Sequence, residues 1–310
     1  MNSASPGSSL DTAPRQAYCD VFFSSRDGLL LYAADYGRRN RQARHRLPVV
    51  CLPGLTRNSR DFHRLALFLA HHPDKPRRVV SFDYRGRGRS QWDSDPARYS
   101  LLVEAEDIIT GLCALGIEEA CFIGTSRGAL IIHLLAAMRP GALSSVIFND
   151  AGPKIEGAGL VRIRIDLERM GPVPSWSEAS RVLAKRYASS FPALGDEDWQ
   201  HMAHCLYREK DGHIMPDHDP ALRTLLADLD LNTPIPTLWK PFDGLCKTPL
   251  MVIRGEHSQL LSPASVEEMA ARHPALTSVT AAGQGHAPLL HHGDLPEWIA
   301  DFIARHDAAR

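Results

Sequence analysis

The sequence predicts an α/β fold: a mostly parallel sheet with helices on both faces, interrupted by an inserted helical segment. Three observations predict it. Apolar runs of strand length recur along the chain, among them Pro48-Val49-Val50-Cys51-Leu52, Val79-Val80-Ser81-Phe82, Cys121-Phe122-Ile123 and Ser145-Val146-Ile147-Phe148. Amphipathic helical patterns separate them, and strands alternating with helices imply a parallel sheet covered on both faces. The alternation stops after Asp150 and resumes at Pro249-Leu250-Met251-Val252-Ile253.

Taken in order, Cys19 to Ser24 and Leu29 to Tyr36 read as a hairpin around Arg26-Asp27-Gly28. The apolar runs follow, with helices expected at Phe62 to His71, at Leu101 to Leu115 and directly after residue 126. Beyond the interruption come the strand at 249–253, a helix from Ser265 to Arg272, a strand from Leu276 to Thr280 and a last helix from about Pro296 to Arg305. This makes eight strands. Residues 17–151 and 244–306 form the sheet domain. Residues 152–243, with helical periodicity, many charges and no convincing buried strand, form a helical lid. Residues 1–16, rich in Ser, Pro and Ala, are expected to be a mobile tail without the basic start and apolar middle of a signal peptide.

Composition narrows the function. The 310 residues, 44% apolar and 23% charged, suit one large globular domain with an insertion, and a net charge of −1 offers no nucleic-acid footprint. The basic run from Arg38 to Arg46 is local and reads as a solvated loop. No apolar stretch is long enough to span a bilayer. The cysteines at 19, 51, 113, 121, 205 and 246 are scattered and read as free thiols of a cytoplasmic protein.

The chemistry centres on Gly124-Thr125-Ser126-Arg127-Gly128, a Gly-x-Ser-x-Gly motif between a buried strand and a helix. There the serine sits on a sharp, strained turn and its hydroxyl projects above the sheet edge at a helix N-terminus. A serine hydroxyl needs a base, and His286, in the glycine-rich Gly283-Gln284-Gly285-His286 loop, is the candidate. Loops at the C-terminal ends of parallel strands share one edge, so the two can meet. Oxyanion donors are expected from the amides of Arg127, directly after the serine, and Leu55, in Leu52-Pro53-Gly54-Leu55-Thr56-Arg57.

A carboxylate should orient the histidine. The loop Gly255-Glu256-His257-Ser258-Gln259 has no aspartate at the expected distance. Asp150, ending the Ser145–Phe148 strand, is preferred. Glu256 is the alternative, and a chain with no triad acid the third possibility.

In this order, Pro53-Gly54-Leu55, Asp83-Tyr84-Arg85-Gly86-Arg87-Gly88-Arg89-Ser90, Gly124 to Gly128 and Gly285-His286 resemble the landmarks of the α/β-hydrolase superfamily over roughly residues 20–306. The resemblance implies an eight-stranded sheet with a lid. It also implies a serine hydrolase like the small-molecule esterases, lactonases and enol-lactone hydrolases. Some members take their acid from the end of the sixth strand, which maps onto Asp150. Ser258 and Gln259 stand where most relatives carry aspartate.

The expected reaction is hydrolysis of a small ester or lactone through an acyl-enzyme, without cofactor or metal. The alternatives are carbon–carbon bond hydrolysis on the same scaffold and a degenerate homologue that only binds its ligand. Asp83 and Arg85 to Arg89 are expected to form a structural turn with Arg–Asp pairing. Arg57 and Arg127 could each hold a substrate carboxylate. Oligomeric state is left open. His201, His204, Cys205, His213 and His218, with Asp211, Asp217 and Asp219, crowd the lid, but no metal-ligand spacing appears among them.

Overall fold

The computed structural model describes residues 17–227 and 235–307; the expected mobile tail at 1–16 lies outside them. In chain order, β1 (Tyr18–Ser24) and β2 (Leu30–Tyr36) are followed by β3 (Val49–Leu52), α1 (His63–Ala70), β4 (Val79–Asp83), α2 (Leu101–Leu115), β5 (Ala120–Thr125), α3 (Arg127–Met138) and β6 (Leu143–Asn149). Then come α4 (Gly157–Arg169), α5 (Trp176–Tyr187), α6 (Asp196–Leu206), β7 (Tyr207–Lys210), β8 (His213–Pro216), α7 (Thr224–Ala227) and α8 (Trp239–Asp243). The chain closes with β9 (Leu250–Gly255), α9 (Pro263–Arg272), β10 (Thr277–Ala281) and α10 (Leu295–Arg305).

Eight strands form one sheet in the order β1-β2-β4-β3-β5-β6-β9-β10. β1 pairs antiparallel with β2, and β2 with β4; every later pairing is parallel. The central strands are buried on both faces because each face carries helices. Leu65 and Leu69 of α1 pack with Ile299, Phe302 and Ile303 of α10 on one face. Ile108 and Leu112 of α2, Ile131 and Leu135 of α3 and Met269 of α9 pack on the other. Local signals set the helix ends. Ser100 caps α2 by accepting from the Val103 amide, and Gly116, at φ 64°, ends it in the left-handed conformation.

The segment between β6 and β9 adds no strand to this sheet. It has its own small core, in which Leu183, Trp199, Met202 and Ile214 meet Leu289 from the loop after β10. It is not wholly helical, as the sequence suggested: β7 and β8 form an antiparallel ribbon. The ribbon turns at Asp211-Gly212, both at positive φ (53° and 76°). That dipeptide is a hairpin signal, hidden here by strands of four residues carrying Arg208, Glu209 and Lys210. Arg60 ties this part of the segment down, donating to the carbonyls of His204 (2.8 Å), Cys205 (3.3 Å) and Tyr207 (3.2 Å) and to Asp217 Oδ2 (2.6 Å). By contrast α4 buries Gly159 and Leu167 alone among its residues.

The turn after β4 carries the expected Arg–Asp pairing, made with aspartates outside the turn rather than with Asp83. Asp83 is buried and accepts from the amides of Ser59 (2.6 Å) and Arg89 (2.7 Å). The arginines find acids elsewhere. Arg85 takes Asp107 (2.7 Å) and Asp93 (2.6 Å), Arg87 takes Glu104 (2.8 Å) and Arg89 takes Asp20 (2.5 Å).

Candidate active site

Ser126 stands between β5 and α3 at φ 51° and ψ −111°, a conformation that L-residues rarely adopt. The flanking glycines allow it. A Cβ on Gly124 would lie 2.6 Å from the Ala129 nitrogen, and one on Gly128 would run into the carbonyl oxygen of Leu52. The Ser126 amide donates to the Asn149 carbonyl (3.0 Å), which locks the turn to the end of β6.

The structure brings Ser126, His286 and Asp150 together. Ser126 Oγ lies 3.0 Å from His286 Nε2, and His286 Nδ1 lies 2.8 Å from Asp150 Oδ2. Nδ1–H donates to the carboxylate, which leaves Nε2 to accept from the serine hydroxyl. The histidine loop is held on both sides. Gln284 Oε1 accepts from the Leu289 amide (2.8 Å), and Asn149 Nδ2 donates to the Pro288 carbonyl (3.0 Å). Asp150 is wholly buried at φ 53°. Its Oδ1 accepts from the Gly255 amide (2.8 Å), and its Oδ2 also accepts from Ser258 Oγ (2.6 Å). Glu256, the alternative acid, lies elsewhere: its Oε2 accepts from the Gly283 amide (2.7 Å) and its side chain is half exposed.

Leu55 and Ser126 face one cavity of about 160 Å³ beneath α4, α5 and α6. Arg87 Nε donates to the Leu55 carbonyl (2.8 Å), which holds the Leu55–Thr56 peptide, the unit next to the one that carries the Leu55 amide. Arg127 turns its side chain away from the cavity, donating to Glu104 Oε2 (2.6 Å) and to the Tyr99 carbonyl (2.9 Å). The sequence left a substrate carboxylate, solvent or a lid acid open for that side chain; its partner is instead a fully buried glutamate of α2. Glu104 therefore grips Arg87 through one oxygen and Arg127 through the other. Arg57 does line the cavity, but its Nε donates to Asp61 (2.6 Å). Burial alone would lower the Arg57 pKa; Asp61 reverses that and holds it above the ordinary value.

The sequence profile of the Alpha/beta hydrolase family matches residues 49–302, most of the chain. The chain belongs to this family. The α/β hydrolase is similar to a solved α/β hydrolase from Novosphingobium aromaticivorans, with a TM-score of 0.82 and 33% identity over 93% of this chain and 99% of that one. It is 30% identical to a 3-hydroxybutyrate-oligomer hydrolase of Cupriavidus necator over 77% of this chain and 82% of that protein. It is 26% identical to a pimeloyl-[acyl-carrier protein] methyl ester esterase of Stenotrophomonas maltophilia over 68% of this chain and 76% of that protein. It is therefore an enzyme, a hydrolase of small molecules.

Two histidines of the inserted segment in this α/β hydrolase pack against other rings. His204 stacks on Trp176 with ring centroids 4.1 Å apart, and His201 meets His291 edge-on at 4.7 Å. Asp217 pairs with Arg60, and Asp219 accepts from the Tyr99 hydroxyl. Among the described residues no group of three or more His, Cys, Asp and Glu side chains is arranged to hold a metal ion. Nor is any helix among them long and apolar enough to cross a membrane. All six cysteines are free thiols. Ser258, Glu104, Arg87 and Asp61 are the site residues that sequence reasoning missed. Ser258 had a signal, since it occupies the position where an acid was sought.

Proposed function

We propose that this α/β hydrolase cleaves carboxylic esters or lactones of small molecules through an acyl-enzyme on Ser126. The observation that carries the reading is the continuous hydrogen-bonded chain from Ser126 Oγ through His286 to Asp150. His286 Nε2 takes the hydroxyl proton as Oγ attacks the substrate carbonyl. The oxyanion accepts from the amides of Leu55 and Arg127. Asp150 keeps the proton on Nδ1 and stabilises the imidazolium. His286 then protonates the leaving alcohol, and a water activated in the same way releases the acid. Every group used belongs to the chain.

The inserted segment acts as the lid. Ile163, Met170, Tyr187 and Met202 wall the cavity, limit substrate size and exclude bulk water. A degenerate binding protein is disfavoured by the hydrogen bond from Ser258 to Asp150, since a hydroxyl at that position supports an acid on the neighbouring strand. Ester bonds are favoured over carbon–carbon bonds because one of the relatives is named a methyl ester esterase. The test is hydrolysis of p-nitrophenyl acetate and butyrate by wild type and by Ser126→Ala, with fluorophosphonate labelling of Ser126. Turnover and labelling that both vanish in the variant support the reading. Turnover that survives in Ser126→Ala rejects it.

A further inference from the structure

We infer that the partly buried Arg57–Asp61 pair is the group that selects the substrate, and that it takes a hydroxyl carried near the scissile carbonyl. The preferred substrates are then short hydroxylated esters, ahead of their deoxy counterparts and of esters bearing a second carboxylate. The inference rests on the ester-hydrolase reading above.

Position comes first. Arg57 Cγ and Ser126 Cβ lie 3.3 Å and 3.8 Å from the point where a side chain on Gly54 would begin. The stem of Arg57 is thus near the nucleophile, and both residues of the pair line its cavity.

Charge comes second. Among the described residues three charged side chains line the cavity: Arg57, Asp61 and Asp166. Arg57 is neutralised by Asp61 at 2.6 Å, and Asp166 by Arg162 at 3.2 Å. A carboxylate drawn to Arg57 would bring a second anion against Asp61 with little water to screen it, and like charges in such a setting repel strongly. The pair as it stands excludes the carboxylate that an isolated Arg57 would attract.

The third observation is an unmet acceptor. Asp61 uses Oδ2 for Arg57, whereas its Oδ1 is buried and meets no protein donor among the described residues. The Cys205 thiol beside Asp61 is a weak donor, its pKa pushed up to about 12 by burial first and then by its interaction with that carboxylate, and its short contact is to the Arg60 carbonyl (3.3 Å). A buried carboxylate oxygen gains most from a neutral donor that arrives with the substrate. A hydroxyl is that donor. A site built to bond a substrate hydroxyl discriminates against the analogue lacking it far more strongly than an apolar pocket discriminates by shape.

The experiment compares kcat/KM in wild type, Asp61→Ala and Asp61→Asn. The substrates are ethyl 3-hydroxybutyrate and 2-hydroxyethyl butyrate, each against its deoxy partner, ethyl butyrate, together with monoethyl succinate. Wild type is expected to prefer at least one hydroxylated ester by about 10-fold or more. Asp61→Ala should bring that ratio close to one and raise monoethyl succinate about 10-fold relative to ethyl butyrate, because Arg57 is then unneutralised. Asp61→Asn keeps the volume should the alanine variant not fold, and should move both ratios in the same direction. Ratios unchanged by either substitution, or a wild type that ignores the hydroxyl, overturn the inference. Equilibrium binding to Ser126→Ala separates the two proposals. Tighter binding of the hydroxylated ester supports the pair's role even if ester cleavage proves not to depend on Ser126, and equal binding overturns it even if cleavage does.

Discussion

Ser258 Oγ donates to Asp150 Oδ2 at 2.6 Å, on the same carboxylate oxygen that receives His286 Nδ1 at 2.8 Å. Asp150 sits at the end of β6, and Ser258 occupies the turn after β9 where an acid was sought. The acid and its supporting donor therefore come from adjacent strands, and the hydroxyl helps to fix the carboxylate beneath the histidine.

Asp150→Asn should lower kcat by about 10⁴-fold with a much smaller change in KM, since the amide favours the wrong imidazole tautomer. Steady-state kinetics on p-nitrophenyl butyrate checks this, and a rate near that of wild type would remove Asp150 from the mechanism.

Ser258→Ala should lower kcat by roughly 10-fold, the loss of one charge-assisted hydrogen bond to the acid. Ser258→Asp should do more harm, because it sets a second carboxylate against a buried one. Gln259→Asp should leave kcat within about twofold. A large gain from Gln259→Asp would mean that the triad lacks an effective acid.

Glu104→Gln should reduce kcat by about 10-fold to 100-fold, within the range seen when oxyanion stabilisation is impaired, and leave KM nearly unchanged. The reason is positional: Glu104 anchors Arg87, which holds the Leu55 carbonyl, and Arg127, which follows the nucleophile. Measuring KM and kcat separately, with the melting temperature, distinguishes this from simple loss of folded protein.

Acid should destabilise the fold in part through His133. This residue is fully buried, stacks on Phe148 at 4.8 Å and leaves Nε2 without a protein partner among the described residues. Burial pushes its pKa down to about 4 from an ordinary 6.5. Between those values the unfolded chain binds a proton that the native chain does not. The contribution is therefore complete above pH 6.5 and is lost as pH falls toward 4, at roughly 1.4 kcal/mol per pH unit. Asp83, pushed up to about 6 by burial, works the other way in the lower part of that window. Comparing wild type with His133→Leu cancels the Asp83 effect, and the variant should show the shallower loss of melting temperature between pH 6.5 and pH 4.5.

Much of this fold was legible in the sequence because it rests on local rules. The run from Ala120 to Met138 combines an apolar strand, two glycines around a serine and an apolar helix, and each part agrees with the next. Asp150 could be proposed from its place at a strand end alone. Side-chain pairings across the molecule were not legible. Nothing around Arg127 reveals that Glu104 lies beneath it, and nothing around Arg57 shows that Asp61, one turn on, has claimed its Nε. Such pairs are decided by tertiary packing. The ribbon at 207–216 was missed for a different reason, because four-residue charged strands carry too little alternation to stand out.

Arg60 gives the molecule a fixed side and a yielding side. A cover that swung as one body would break three carbonyl contacts and an ion pair together, all at the end of α6 and along the ribbon. Among the described residues α4, with only Gly159 and Leu167 buried, is held by less than the ribbon is.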